Sequence, residues 1–187
     1  MTTATYTLIG VPGWGSAIAE ALLELSGLPY QVEDIDGSKP TAESKRLTAL
    51  NPLAQVPTLL LPNGTVMTES AAIALHLADR APVAGLMPPS GDAARDAFLR
   101  WLAFIVANVY PMYTVGDFPD RWVTGEAAQK ELRASTDAYR EKSWRIVEAN
   151  IAPRPWFLGA RFSALDVYAK VMSHWRPRRD WFKDNCP

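Results

Sequence analysis

Two features on either side of a short hairpin have the residue types to bind a peptide-like ligand. The first is Val56-Pro57, which precedes the apolar run Thr58–Leu61. Proline cannot donate to a sheet ladder, so its place before a strand indicates a device at the strand end, and we predict a cis-proline turn. Such a turn leaves the backbone N–H and C=O of Val56 free to pair with a ligand.

The second feature is Glu69-Ser70, which opens an apolar helix predicted to end at about Arg80. It places an anion, a hydroxyl and the unpaired N–H groups of a first helical turn at one point. The turn Pro62-Asn63-Gly64 and a return strand, Val66–Thr68, connect it to the first feature. The chain must therefore fold so that both ends of this hairpin are presented to a ligand.

The residues before the hairpin predict a β-α-β unit. Strands are predicted at Tyr6–Ile9 and Tyr30–Asp34, with the helix Ser16–Ser26 between them. Ser16 is the predicted N-cap of this helix and Gly27 its stop. Because the connection is a crossover, the two strands should be parallel.

The element order then continues with a short helix, Ala42–Leu50, and the hairpin, which gives the thioredoxin-like layout β-α-β-α-β-β-α. The proline- and glycine-rich segment Ala81–Gly91 is predicted to be a linker, after which strand signals stop. The predicted fold class is α/β plus all-α. We expect a thioredoxin-like domain at 1–81, a linker at 82–91 and an all-helical domain at 92–187.

The second half of the chain has helical periodicity throughout. Phe98, Leu102, Ile105 and Val109 are spaced as one apolar helix face. The predicted elements are a helix capped by Ser90 or Asp92 that ends at about Tyr110, a loop at Pro111–Val123, a long helix at Gly125–Ile151, a helix with the capping box Ser163/Asp166 that ends at about Trp175, and a short helix at Arg178–Asn185.

Composition narrows the classes of function. The net charge of −1 argues against general nucleic-acid binding, and no apolar run is long enough for a membrane span. One cysteine, Cys186, excludes an intramolecular disulfide and a CxxC pair. His76 and His174 are isolated, so no metal site is predicted. Without a secretory signal at the N-terminus, a cytoplasmic protein is the simplest expectation.

The order Asn-Pro, Val-Pro, hairpin and Glu-Ser over Asn51–Arg80 resembles the glutathione-binding half of the glutathione transferase family. The spacing of Gly159, Ser163 and Asp166 is similar to a capping motif in that family's helical domain. The resemblance implies a homodimeric transferase with glutathione as co-substrate, which joins the glutathione thiolate to a small apolar electrophile. Family members usually continue for another helix or two beyond the point where this sequence stops.

The resemblance also assigns roles to residues around the hairpin. Val56 would pair with the cysteinyl backbone of glutathione, in a site shaped by Pro57. Glu69 would bind the ammonium of the γ-glutamyl end and Ser70 its carboxylate. Gln55 is a weaker candidate for a side-chain contact. The candidates for the glycine carboxylate are Lys39 and, as alternatives, Lys45 and Arg46.

The thiol-activating group is expected in the segment Pro12–Ser16. It is similar to the Pro-Gly-x-Cys-Ser turn of the bacterial beta class, but Gly15 stands in place of the cysteine. Ser16 is therefore the candidate donor to the thiolate, or else only a helix cap. The candidates for the second-substrate pocket, each of which could instead be a packing residue, are Trp14, Tyr110 and Tyr113.

Two other functions fit the same residues. The first is a glutathione-binding or protein-interaction module without transferase activity, which the missing cysteine favours. The second is a glutathione-dependent isomerase, peroxidase or bond-cleaving enzyme, because a fold does not fix its reaction. An isomerase of the zeta type would carry a serine-rich loop at Val11–Ser16, and this sequence does not.

Overall fold

The computed structural model describes residues 5–36, 41–151 and 155–187, and the chain divides into two compact units, Met1–Asp92 and Ala93–Pro187. The first unit contains a thioredoxin-like arrangement of strands and helices, as predicted. Its elements are β1 (Tyr6–Gly10), α1 (Ser16–Ser26), β2 (Tyr30–Asp34), α2 (Ala42–Leu50), β3 (Thr58–Leu60), β4 (Val66–Met67) and α3 (Ser70–Arg80).

The four strands form one mixed sheet in the order β2-β1-β3-β4. β1 and β2 are parallel, which confirms the predicted β-α-β unit, and their register sets Gly10 beside Asp34. β3 is antiparallel to both β1 and β4. The hairpin that follows Pro57 therefore supplies half of the sheet.

Apolar side chains fill both faces of this sheet. On one side α1 packs against α3, and Ile18, Leu22, Ile73 and Leu77 are all fully buried. A second cluster contains Ile9, Ile35 and Leu47 of α2, with Val56 and Leu60 packed against it. Each fully buried aliphatic side chain contributes about 1.5–3 kcal/mol, so the two layers fix the sheet between them.

The second unit is all-helical in its described residues. A single turn of 3-10 helix, Pro119–Arg121, precedes the longest helix. The main helices are α4 (Ala94–Phe104), α5 (Tyr110–Asp117), α6 (Glu126–Asn150), α7 (Ala164–Met172) and α8 (Arg179–Asn185).

The predicted loop at Pro111–Val123 was wrong over its first half, which is helical in α5. A π-helical turn, Ile105–Val109, joins α4 to α5, and Tyr110 N–H donates to the carbonyl of Ile105. Pro111 has no N–H and its ring crowds the carbonyl four residues before it, so the hydrogen-bond ladder shifts instead of ending.

Helix caps in this unit confirm one prediction and correct another. The Ser163/Asp166 capping box is present: the Asp166 carboxylate accepts from Ser163 N–H and from Phe157 N–H, the latter at 2.7 Å. The predicted cap of α4 by Ser90 or Asp92 was wrong, because α4 begins after Ala93. The remaining predicted elements differ from the observed ones only near their ends.

The helical run Ala94–Asp117 passes a test of length and composition for a membrane span, which the sequence analysis had not anticipated. Core helices of globular domains pass the same test. Here Phe98, Trp101, Leu102 and Ile105 are buried inside the helical unit, so one face of the run packs into the core of that unit, while 33% of its most apolar stretch is buried in all.

Candidate functional site

The sheet register brings three separate segments to one edge of the first unit. Ile9 lies opposite Thr58, and Leu59 lies opposite Met67. Antiparallel partners run in opposite directions, so the residues after β1, those before β3 and those after β4 meet at the same edge. These segments are the β1–α1 turn (Val11–Gly15), the pair Val56-Pro57 and the pair Glu69-Ser70.

Val56 presents an unused backbone at this edge. The Val56-Pro57 peptide bond is cis, which confirms the prediction. Its side chain packs inward against the cluster around Ile9 and Leu47, and the ladder with β1 begins only at Thr58. Among the described residues, none hydrogen-bonds to the N–H or C=O of Val56. An extended peptide can therefore add here through backbone hydrogen bonds.

Asn51 holds the loop that carries Val56, a role that the sequence analysis missed. Its side chain is 5% exposed. The Nδ2 group donates to the Gln55 carbonyl at 3.0 Å and to Thr58 Oγ1 at 3.2 Å, and Oδ1 accepts from Leu53 N–H at 3.1 Å. An asparagine between a helix and a proline was the available signal, since Asx side chains commonly bond to nearby backbone.

Glu69 occupies a backbone conformation that glycine normally takes, with φ +66°. Its carbonyl accepts from Ile73 N–H, and its side chain, which is exposed, makes no capping bond to α3. Within the described part of the chain, the Ser70 hydroxyl also makes no hydrogen bond. The start of α3 therefore offers a carboxylate, a hydroxyl and first-turn N–H groups to a ligand.

Ser16 has a different environment from the one predicted. Gly15 is the N-cap of α1, and no side chain caps this helix, so the predicted Ser16 cap was wrong. The Ser16 hydroxyl instead accepts from Val11 N–H and donates to Val11 C=O, both at 3.0 Å. The side chain is 3% exposed. A hydroxyl has one proton to donate, and here that proton is directed at Val11.

The predicted side-chain contact Gln55 and the cations predicted for the glycine carboxylate lie in different environments. Gln55 is exposed, and its carbonyl accepts from Asn51 and Thr58. Lys39 lies outside the described residues. Lys45 is exposed on α2, whereas Arg46 forms an ion pair with Glu33 of β2. Of the two alternative cations, Lys45 is thus the one whose side chain makes no ion pair with another described residue.

The three aromatic candidates have contrasting environments within their own units. Trp14, in the β1–α1 turn, is 41% exposed. Tyr110 is partly buried, with its ring edge-on to Trp175 at 5.6 Å between centroids. Tyr113 is buried, and its hydroxyl donates to the Met172 carbonyl.

Tyr113 is tied into the helical core by further contacts. Its hydroxyl accepts from Trp144 Nε1 at 3.3 Å, and the Arg140 guanidinium lies 4.7 Å from its ring centroid. Burial is the main cause that raises the pKa of Tyr113 to about 12. These contacts are those of a packing residue of the helical core, in contrast to the partly exposed ring of Tyr110.

Comparison with protein families gives a match at the site itself. Residues 16–80 match the family model described as glutathione S-transferase, N-terminal domain. An uncharacterized GST-like protein of Escherichia coli, YncG, is 42% identical over 178 residues, which are 95% of this chain and 85% of its own. Glutathione S-transferase GstA, from another strain of that species, is 30% identical over 88% of this chain and 79% of its own length.

Solved structures agree with these relatives. A glutathione transferase homolog from Sulfitobacter, with bound glutathione, superimposes with a TM-score of 0.81 at 28% identity, over 92% of this chain and 82% of its own. A sphingomonad glutathione S-transferase complexed with glutathione superimposes with a TM-score of 0.76 at 26% identity, over 91% and 82%. The fold described above is therefore shared along almost the whole chain.

Proposed function

Because the chain belongs to the glutathione S-transferase family, we propose that it binds glutathione at the sheet edge and joins the glutathione thiolate to an apolar electrophile. One observation carries the binding half of this proposal. Neither the N–H nor the C=O of Val56 has a hydrogen-bond partner among the described residues, and both groups lie at the edge that also carries Glu69-Ser70. An extended tripeptide with a charged end matches both features.

In this proposal the cysteinyl residue of glutathione pairs with Val56 as a short added strand. The γ-glutamyl end reaches the start of α3, where the Glu69 carboxylate binds its ammonium. Its carboxylate meets the Ser70 hydroxyl and the first N–H groups of the helix. Gln55 contributes a secondary contact. Lys39, or Lys45 in its place, binds the glycine carboxylate.

The thiol then lies near the β1–α1 turn, at the positive end of α1. The field of a helix N-terminus favours the thiolate, which is the nucleophilic form. The protein's other contribution is to hold thiolate and electrophile together, which removes much of the entropic barrier of a bimolecular reaction. Tyr110 is the candidate for contact with the electrophile. We further propose that the protein is a homodimer and that it acts in the cytoplasm.

The binding site is tested by the affinity for glutathione of the wild type and of Glu69→Ala and Glu69→Gln, measured by calorimetry. Loss of a charge-assisted contact should weaken binding roughly 10- to 100-fold in both variants. Glu126→Ala, which removes an exposed first-turn carboxylate from α6, is the matched control and should bind normally. A wild-type protein that does not bind glutathione would refute the proposal.

A binding module without turnover is the second candidate, and the β1–α1 turn favours it. Gly15 has no side chain, and the Ser16 hydroxyl is bonded to Val11. Conjugation of glutathione to an activated aryl chloride separates the two candidates. A transferase accelerates this reaction well above its uncatalysed rate at neutral pH. Glutathione binding with no acceleration for any of a panel of apolar electrophiles would favour the module.

A further inference from the structure

We propose that Ser16 is a positioning residue, which fixes the β1–α1 turn and acts on the bound thiol only through that turn. The inference rests on the proposed function, because it assigns a role within the same glutathione site. The Ser16 hydroxyl was expected to contact the sulfur, but it is bonded to Val11. Its role is therefore to hold in place the turn that lies nearest the sulfur.

The hydroxyl bonds are the first evidence. The sheet ladders that involve β1 end at Gly10, so Val11 is the first residue beyond them. Its N–H donates to Ser16 Oγ and its C=O accepts from the same hydroxyl, both at 3.0 Å. The Val11 carbonyl also accepts from Trp14 N–H at 3.1 Å. One buried side chain thus ties the first residue of the turn to the first residue of α1.

The fit at Gly10 is the second evidence. A Cβ atom built on Gly10 would lie 2.8 Å from both Cβ and Oγ of Ser16. Carbon atoms do not approach that closely in folded proteins, so the backbone of β1 and the Ser16 side chain are packed as tightly as a glycine allows. Strand, turn and helix are therefore held by the same side chain.

These contacts leave the hydroxyl poorly suited to bind the sulfur directly. Turning its proton toward a thiolate would give up the bond to the Val11 carbonyl, while the oxygen could still accept from Val11 N–H. The bound state would exchange one hydrogen bond for another and would release one of the two bonds that hold the turn. We therefore expect the hydroxyl to stay on the turn.

Ser26 provides a matched control at the other end of the same helix. Its hydroxyl donates to the Leu23 carbonyl at 2.6 Å and accepts from Leu28 N–H at 3.2 Å. This is the same pair of backbone bonds, made away from the sheet edge that carries the site. Ser26→Ala should therefore alter the stability of the protein but not its affinity for glutathione.

The experiment compares the affinities of glutathione and S-methylglutathione for the wild type, Ser16→Ala, Ser26→Ala and Gly10→Ala. S-methylglutathione has no thiol and cannot report on a bond to a thiolate. If Ser16 is a positioning residue, Ser16→Ala should lower the affinity for both ligands by the same factor, about tenfold. The pKa of the bound thiol should stay unchanged. Gly10→Ala keeps the Ser16 hydroxyl but displaces it, so it should lower the affinity for both ligands. Ser26→Ala should lower neither affinity.

Two results would overturn the inference. If Ser16→Ala raises the pKa of the bound thiol and leaves S-methylglutathione affinity unchanged, the hydroxyl binds the sulfur. If Ser16→Ala changes neither affinity, the turn does not need it. The Ser16→Ala and Ser26→Ala pair decides the question even if Gly10→Ala fails to fold.

Failure of the proposed function would look different, because the wild type would then bind neither ligand. Hydrogen exchange at the Val11 amide tests the turn without any ligand. Exchange should be faster in Ser16→Ala than in the wild type and unchanged in Ser26→Ala. Equal Val11 protection in all three proteins would overturn the anchoring role.

Discussion

Asn51 offers the most direct test of how the chain builds its ligand-facing loop. Replacing it with alanine removes three hydrogen bonds, those to the Gln55 carbonyl, Thr58 Oγ1 and Leu53 N–H. A typical internal hydrogen bond has a net value of about 0.5–1.5 kcal/mol. Leu53 is exposed, so water can replace one of the three. We therefore expect Asn51→Ala to lower the free energy of unfolding by about 2 kcal/mol.

The assay is urea unfolding at pH 7, followed by glutathione binding. For a loss of about 2 kcal/mol and a typical slope of about 2 kcal/mol per molar, the urea midpoint should fall by about 1 M. Asn63→Ala is the control, because Asn63 makes one exposed bond, to Thr65 N–H, and its loss should change stability by less than about 0.5 kcal/mol. Glutathione affinity should fall in Asn51→Ala alone.

Asn51→Asp adds a dependence on pH that distinguishes hydrogen bonding from volume. The new carboxylate would face the Gln55 carbonyl in a buried position, which raises the folded-state pKa above the unfolded value of about 3.9. Stability is then greatest at low pH and is lost as pH rises through the folded-state pKa. Asn51→Asp should thus gain stability relative to Asn51→Ala between pH 7 and pH 5. Equal stability of Asn51→Ala and wild type, or a pH-independent Asn51→Asp, would refute the reasoning.

Two further predictions concern charge. Burial first, and then Arg80, lower the pKa of His76, whose Nε2 is hydrogen-bonded to the Tyr6 hydroxyl. The free energy of unfolding should therefore fall as pH drops below about 6.5. Urea unfolding at several pH values measures this slope, which should be smaller in His76→Gln. An unchanged slope in His76→Gln would contradict the assignment to His76. Arg140 is 1% exposed and paired at 2.7 Å with Asp137, which is 32% exposed, so Asp137→Asn should reduce stability by about 1–3 kcal/mol in thermal unfolding. The exposed pair Lys183–Asp180 is its control, and equal shifts for Asp137→Asn and Asp180→Asn would show that burial does not matter here.

The first unit was largely predictable because its signals are local. Glycine at the end of α1, the turn at Pro62–Gly64 and the proline at the start of β3 each act on adjacent residues. The parallel pairing of β1 and β2 followed from the crossover between them. By contrast, Pro111 was interpreted as a helix breaker, whereas the chain absorbs it in a π-helical turn whose packing the sequence alone does not reveal.

The features that sequence missed depend on contacts between separate segments. The position of the Ser16 hydroxyl is set by the end of β1, not by its place at a helix start. Arg176 stands in a short basic run of the sequence, but its guanidinium pairs with Asp117 and Asp137, which lie far away in the chain. The locations Val56-Pro57 and Glu69-Ser70 were predictable because the motif itself spans the hairpin that joins them.

The backbone at Glu69 has a consequence for anyone who selects or designs stable versions of this protein. A non-glycine residue held in a sparsely populated region at positive φ costs about 1–3 kcal/mol, and Glu69 has φ 66° and ψ 108°. A screen for heat resistance alone would therefore favour glycine at this position and would remove the carboxylate with the strain. If Glu69 binds glutathione as proposed, thermal selection and ligand retention act in opposite directions on this one residue, so stabilised libraries should keep position 69 fixed.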